Sequence, residues 1–431
     1  MRRAAVTVAA ALLLMVGFAG PAWAHARLIA SDPAGGATVS EAPAQVTLTF
    51  SERIETSFGG VQVFDPAGAR VEAGDARISG TQVRVPLQPL TVPGAYTVVF
   101  RIISGDSHPV ESRFAFTYQP PPSPSPSSAA VATVPPPERP SASPAAPLDI
   151  DLEDAGPGTA VGLWTARLVN YLALTAVMGL LLVAAVLLAG GPELSALQRR
   201  AARLGAVAAG LWALSGVALF VFGLSTAAAR SLPAALSGDL PARFAATRFG
   251  STVLVQAGVA VVVATLAVVA RGRPVALAAL AVAGIGGVAP GWWGHAGSDE
   301  LAAVALASDW AHVLAVTVWA GGLAALAAFL LRRDSDADLV GPASRFSRLA
   351  GWALAVVLAT GSVNALLRIS AFGQLTGTTW GRLVLLKLAL FAGIAVLGWR
   401  NRHRMLPRLA SPEPAAARRA FRTMALAEVG L

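Results

Sequence analysis

Apolar residues follow two different rules along this chain, and the rule changes near residue 120. Between residues 25 and 118 they alternate with polar ones, at Val46-Leu48-Phe50, Val61-Val63, Val83-Val85, Val98-Phe100-Ile102 and Phe114-Phe116-Tyr118. A period of two marks short strands with one face buried, and the Gly- and Pro-containing stretches between them mark turns. This segment is predicted to be a β-sandwich or barrel of about ninety residues, enough for one modest core. From about residue 160 onward the apolar residues instead form unbroken runs, near 161–189, 203–224, 249–270, 274–290, 303–331, 347–369 and 383–399. Set against the ~20 residues a bilayer requires, these predict an all-α polytopic transmembrane domain of about seven helices.

Two further segments frame this division. Arg2 and Arg3 precede an apolar run from Ala4 to Gly20, and Ala22-Trp23-Ala24 offers the small-x-small pattern of an export signal. Residues 1–24 are therefore read as a signal peptide whose cleavage exposes His25; an uncleaved anchor is the alternative, although the run is short for a spanning helix. A free amino-terminal His presents its α-amine and ring nitrogen together, a chelate that an internal His cannot form. Residues 119–147 are dominated by Pro, Ser and Ala, as in Pro120-Pro121-Pro122 and Pro135-Pro136-Pro137. Such sequence is extended, and about thirty residues at ~3.1 Å each span up to ~90 Å. The expected organisation is thus signal 1–24, β-domain 25–118, linker 119–158 and membrane domain 159–431.

Composition supports the membrane reading and narrows the chemistry. The chain is 55% hydrophobic and 13% charged, with mean hydropathy +0.61, against roughly 25% charged residues in soluble domains. The formal charge of +9 comes from arginines in short runs between the apolar stretches. If the linker lies outside, Arg199-Arg200-Arg203, Arg271-Arg273, Arg332-Arg333-Arg345 and Arg400-Arg402-Arg404-Arg408 all fall on the inner side, as the positive-inside rule requires. The bilayer, and not nucleic acid, is the expected partner. No cysteine is present, which excludes disulfides and thiolate zinc sites and leaves nitrogen and oxygen donors for any metal.

Only five histidines exist. His25 opens the β-domain and His108 lies between its last two predicted strands, two residues after Asp106, so an extended backbone would put Asp106 and His108 on one side. Either histidine alone would read as a surface residue. In the membrane domain His295 sits in the outward loop Gly291-Trp292-Trp293-Gly294-His295, and His312 stands three residues after Asp309 on the fifth helix, sharing its face. Ionisable groups within spanning helices are costly and usually face a partner or a polar path, although Asp309 could instead cap the helix with His312 satisfied by a neighbour. His403 falls on the basic inner side.

Ser31-Asp32-Pro33, Leu48-Thr49-Phe50-Ser51-Glu52 and Gly105-Asp106-Ser107-His108-Pro109, together with the exposed His25, resemble the CopC family of copper-binding proteins. The resemblance covers the whole segment and implies a Greek-key β-fold holding copper(II) through His25 (amine and ring), His108 and Asp106, with Glu52 as a weaker ligand. Three nitrogens and one carboxylate oxygen suit the tetragonal preference of copper(II). Other members carry a Met-rich stretch for copper(I), but no methionine lies between His25 and Tyr118, which implies a copper(II)-only site. Residues 160 to 428 resemble the CopD family of copper-resistance membrane proteins through Gly294-His295-Ala296, Trp310-Ala311-His312, Trp319-Ala320-Gly321-Gly322, Gly361-Ser362-Val363-Asn364, Gly381-Arg382-Leu383 and Asn401-Arg402-His403. Members usually carry one more helix; Phe421 to Leu431 begins such a segment and stops, so a truncated or divergent carboxyl end is expected.

These readings imply copper import, with the outer domain capturing copper(II) and the membrane domain passing copper along His295, Asp309 and His312, with Asn364 and Lys387 as weaker candidates. No P-loop or Asp-Lys-Thr-Gly phosphorylation motif is present, so gradients, intracellular binding or a partner such as a copper reductase or chaperone would drive it. No enzymatic activity is expected. The alternatives are a copper sensor or resistance component without transport, a copper mono-oxygenase, against which Asp106 in the equatorial plane argues, and a haem or quinone oxidoreductase, which would want paired deep histidines.

Overall fold

The computed structural model describes residues 27–51, 54–104, 109–121, 155–188, 190–287, 302–330, 340–367, 369, 372–405 and 407. These fall into two compact units, one built on the β-domain with residues 224–247, the other on residues 157–223 and 248 onward.

In the β-domain eight strands form two four-stranded sheets. The strands are β1 (Leu28–Asp32), β2 (Thr38–Val39), β3 (Gln45–Phe50), β4 (Ile54–Phe64), β5 (Arg77–Ser79), β6 (Gln82–Pro86), β7 (Gly94–Ser104) and β8 (Pro109–Tyr118). Their order is β1-β3-β6-β5 in one sheet and β2-β8-β7-β4 in the other, antiparallel throughout except for the β2–β8 pair. The alternation seen in the sequence is the inward face: Val46, Leu48, Phe50, Val63, Val83, Val85, Val98, Phe100, Ile102 and Phe116 are all buried in one cluster. Phe50 meets Phe100 edge-on at 5.4 Å between centroids, tying the two sheets together. All five strands read from the sequence are present. The three that escaped it, β1, β2 and β5, are short and lie at sheet edges, where one side faces water and the period of two fades. Tyr96 is fully buried on β7 and donates its hydroxyl hydrogen to the Val92 carbonyl at 2.8 Å; burial pushes this phenol above its ordinary value of 10.0.

The helical unit contains α1 (Pro157–Leu182), α2 (Ala196–Ala228), α3 (Arg248–Val269), α4 (Arg273–Gly286), α5 (Ala302–Val316), α6 (Val340–Leu366) and α7 (Thr379–Arg400). Among the described residues, six helices are long and apolar enough to cross a bilayer. The run at 274–290 appears as α4, whose 14 residues reach only ~21 Å at ~1.5 Å per residue. α1 is the central helix, with 61% of its most apolar window buried, whereas α6 and α7 bury 6% and 11% and turn most of their apolar surface outward. Several spans carry π-helical turns: Val183–Leu187 ends α1, and Thr317–Gly321 continues α5. At that second π turn α1 and α5 touch backbone to backbone, because a Cβ on Gly179 would collide with the Gly321 carbonyl and one on Gly321 with the Thr175 carbonyl. This small-residue contact is how membrane helices gain close packing without a hydrophobic driving force. The carbonyls left open at the end of α1 are taken up by side chains: Arg273 Nε donates to Ala185 O, Arg345 Nε to Leu187 O (both 2.9 Å) and Gln198 Nε2 to Ala184 O (3.0 Å).

Candidate metal sites

His25, Glu52, Asp106, His108 and His295 lie outside the described residues. The residues that flank the first four are described, and they gather at one end of the sandwich. Arg27, two positions after His25, is joined to Ser51, next to Glu52, by two hydrogen bonds: Arg27 N–H to Ser51 Oγ at 2.9 Å and Ser51 N–H to Arg27 O at 2.8 Å. Three residues further on, Ile54 pairs with Ser104, two before Asp106, and Ile103 pairs with Pro109, the residue after His108. Three residues of chain reach at most ~11 Å, so the β1–β3, β4–β7 and β7–β8 ladders all end at this edge. The described residues Arg27, Ser51, Ile54, Ser104 and Pro109, remote in sequence, thus lie along one edge of the sandwich.

In the membrane unit the described candidates form a second locus. His312 is half-buried on α5, and its Nδ1 lies 2.9 Å from Thr360 Oγ1 on α6. The Thr360 hydroxyl has one hydrogen, and the closest carbonyl to it is that of Val356, at 2.6 Å. Its oxygen is then left to accept from His312 Nδ1–H, and the Val357 carbonyl is a further hydrogen-bond acceptor for this ring. Ser308 Oγ donates to the Thr360 carbonyl at 3.2 Å, a second tie between α5 and α6. Gly361 lies against the imidazole: a Cβ built there would be 3.7 Å from His312 Cε1. Asp309 precedes His312 by one turn on α5, and Lys387 lies on α7. Asn364 is one turn beyond Thr360 on α6, on the same helix face. A lipid-open cavity of about 530 Å³ adjoins this locus, lined by Ala303, Val304, Ala307, Ser308, Ala359, Thr360 and Val363. Among the described residues no group of three or more His, Asp or Glu side chains converges closely enough to hold a metal alone. His403, exposed at the far end of α7, stacks 4.8 Å from Trp399 and bonds its carbonyl through Nδ1 at 2.9 Å, in keeping with a position at the membrane surface.

Sequence reasoning missed a third group. Asn170 on α1, Ser215 on α2 and Gln256 on α3 are buried polar residues in spanning helices, and Asn170 Nδ2 donates to Ser215 Oγ at 3.0 Å. Asn170 Oδ1, the Trp212 indole Nε1 and both ends of the Gln256 amide are buried without a hydrogen-bond partner, an expensive arrangement inside a bilayer. Single amides among apolar runs carry no periodic signal, so only packing reveals them.

Comparison with known proteins divides the chain in the same way. The CopC domain family matches residues 28–119, the copper resistance protein D-like N-terminal domain 158–304, and copper resistance protein D 341–431; His312 falls between the last two. Protein YobA of Escherichia coli K12 is 36% identical over 98 residues, 22% of this chain and 79% of that protein. Copper resistance protein C of Pseudomonas syringae pv. tomato is 36% identical over 124 residues, 27% of this chain and 94% of that protein. Copper transport protein CutJ of Bacillus subtilis is 26% identical over 414 residues, 90% of this chain and 69% of that protein. With a CopC β-domain and both copper resistance protein D segments in a single polypeptide, the chain belongs to the CopC/CopD copper resistance family.

Proposed function

We propose that this protein imports copper, its β-domain capturing copper(II) outside the cell and its helices conducting copper inward past His312. In this reading residues 1–24 are the export signal, 119–158 tether the β-domain, and 159–431 are the membrane domain with the basic loops inside. His25, Asp106 and His108 hold the captured ion, with Glu52 beside them. His295 at the outer mouth, then Asp309 and His312, receive it. The observation that carries the reading is the His312 locus: an imidazole in a spanning helix, hydrogen-bonded to Thr360 of the neighbouring helix, with Asp309 one turn before it. A copper reductase or an intracellular copper chaperone would serve the two ends of the path, and no catalytic step is assigned to the chain. The names of the resistance relatives support a second reading, copper binding without transport.

Cellular copper in a copper-limited host separates the two. Expression of the wild-type chain should raise it, and His312→Ala should remove at least about nine-tenths of the rise, in line with the 10–100-fold losses seen when metal sites are disrupted. His108→Ala should lower uptake most at scarce copper, where capture limits. Equal copper in all strains at matched membrane levels would leave only the binding role.

A further inference from the structure

At the end of the bundle that bears the basic loops, a cavity of about 940 Å³ is lined by Glu193, Arg199 and Arg203, by residues 267–270 at the end of α3, and by Arg271 and Gly272 in the turn that follows. Its frame is rigid. The chain before α2 and the α3–α4 turn form a short antiparallel bridge between Glu193 and Gly272, with Leu194 N–H donating to Arg271 O and Arg273 N–H to Pro192 O, both at 2.8 Å. This bridge holds Arg271, from one connection, beside Arg199 and Arg203, from another. Arg199 also donates to the Leu194 carbonyl.

Three features of this cavity point to a ligand. First, three guanidinium groups meet one carboxylate, leaving an excess of two positive charges. Second, Arg199 lies in the first turn of α2, where a cation opposes the helix dipole. The N-terminus itself is closed by a capping box, with Gln198 N–H on Ser195 Oγ (3.3 Å) and Ser195 N–H on Gln198 Oε1 (2.9 Å). Neither helix stability nor capping therefore explains Arg199, and an anion would relieve its conflict with the dipole. Third, the wall of the cavity includes Val268 and Val269, 64% and 56% exposed on the membrane-spanning helix α3. A charged crown above an apolar wall matches an amphiphile. The positive-inside rule accounts for the number of arginines at this end. It does not account for three of them lining one cavity while their neighbour Arg200 stays outside it.

We propose that this cavity binds an anionic phospholipid, its phosphodiester held by Arg199, Arg203 and Arg271 and an acyl chain lying along Val268 and Val269. Guanidinium–phosphate pairs are charge-assisted and bidentate, and basic pockets between spanning helices on the inner side suit such headgroups.

The test is native mass spectrometry of the purified full-length protein in neutral detergent, with phosphatidylglycerol or phosphatidylcholine added. Phosphatidylglycerol should remain bound and phosphatidylcholine should not. The double variant Arg203→Gln/Arg271→Gln should bind at least tenfold less, at about fivefold per basic residue, while Arg200→Gln binds as wild type. The exchanged side chains are exposed, so an unchanged melting temperature confirms an intact fold. If the double variant melts lower, Arg271→Gln alone should still bind about fivefold less. Equal retention of the two lipids, or of phosphatidylglycerol by wild type and by the arginine variants, would overturn the proposal. Displacement of phosphatidylglycerol by submillimolar inorganic phosphate would also overturn it, assigning the site to a free anion.

Discussion

At the scale of single residues, the informative positions are polar groups whose partners are fixed by burial. Tyr96 is one. Its neutral phenol is favoured in the folded β-domain above all by burial, so its pKa is raised in the folded state. The stability it contributes is therefore complete below pH 10, the unfolded value, and is lost as pH rises toward the higher folded value. Tyr96→Phe should cost about 1 kcal/mol at neutral pH and flatten that alkaline loss; hydrogen exchange of β7 peptides in the intact protein, at pH 7 and pH 11, reads both. Gln256 is the opposite case, because neither end of its buried amide has a partner. Gln256→Met keeps the volume and removes the unmet polarity, and should raise stability by about 1–3 kcal/mol. A lower melting temperature would show that the amide is satisfied, by water or by a permeating ion. The proposed copper(II) donors His25, Asp106 and His108 were legible only through motif resemblance, since either histidine alone reads as a surface residue. The sequence could not reveal Thr360 as the residue that orients His312, because a threonine in an apolar run looks like any other.

Among elements, what was legible tracks periodicity. Strands buried on one face and helices of twenty or more apolar residues announce themselves. Edge strands β1, β2 and β5 do not, and neither does the shortness of α4, whose apolar run continues past its described end at Gly286. The Gly321-Gly322 pair is legible only as a motif until the packing explains it: Gly321 admits the backbone of α1, and Gly322 admits Phe346, whose ring would lie 2.6 Å from an added Cβ. Since Gly321 follows His312 by little more than two turns, this contact also fixes the imidazole relative to α1. Gly321→Leu should therefore abolish packing of α1 on α5, at a cost above the 1–3 kcal/mol of ordinary overpacking. Size-exclusion profiles and melting of the detergent-solubilised protein report it, and a well-folded Gly321→Leu protein would show that the helices do not cross there.

In the molecule as a whole, a CopC domain and a helical module bearing His312 are joined in one chain, and a relative that matches 90% of its length is named a copper transport protein. The order of the modules gives a direction to the reading: capture first, then passage. The most direct test removes every other cellular component. Purified full-length protein is reconstituted in liposomes enclosing a copper-responsive dye, and copper entry is timed for wild type, Thr360→Val and His312→Ala. The account predicts entry by wild type, slower entry when Thr360 no longer orients the imidazole, and entry at the empty-liposome rate for His312→Ala. Entry by His312→Ala at the wild-type rate, or none by the wild type with either copper(I) or copper(II) outside, would contradict it.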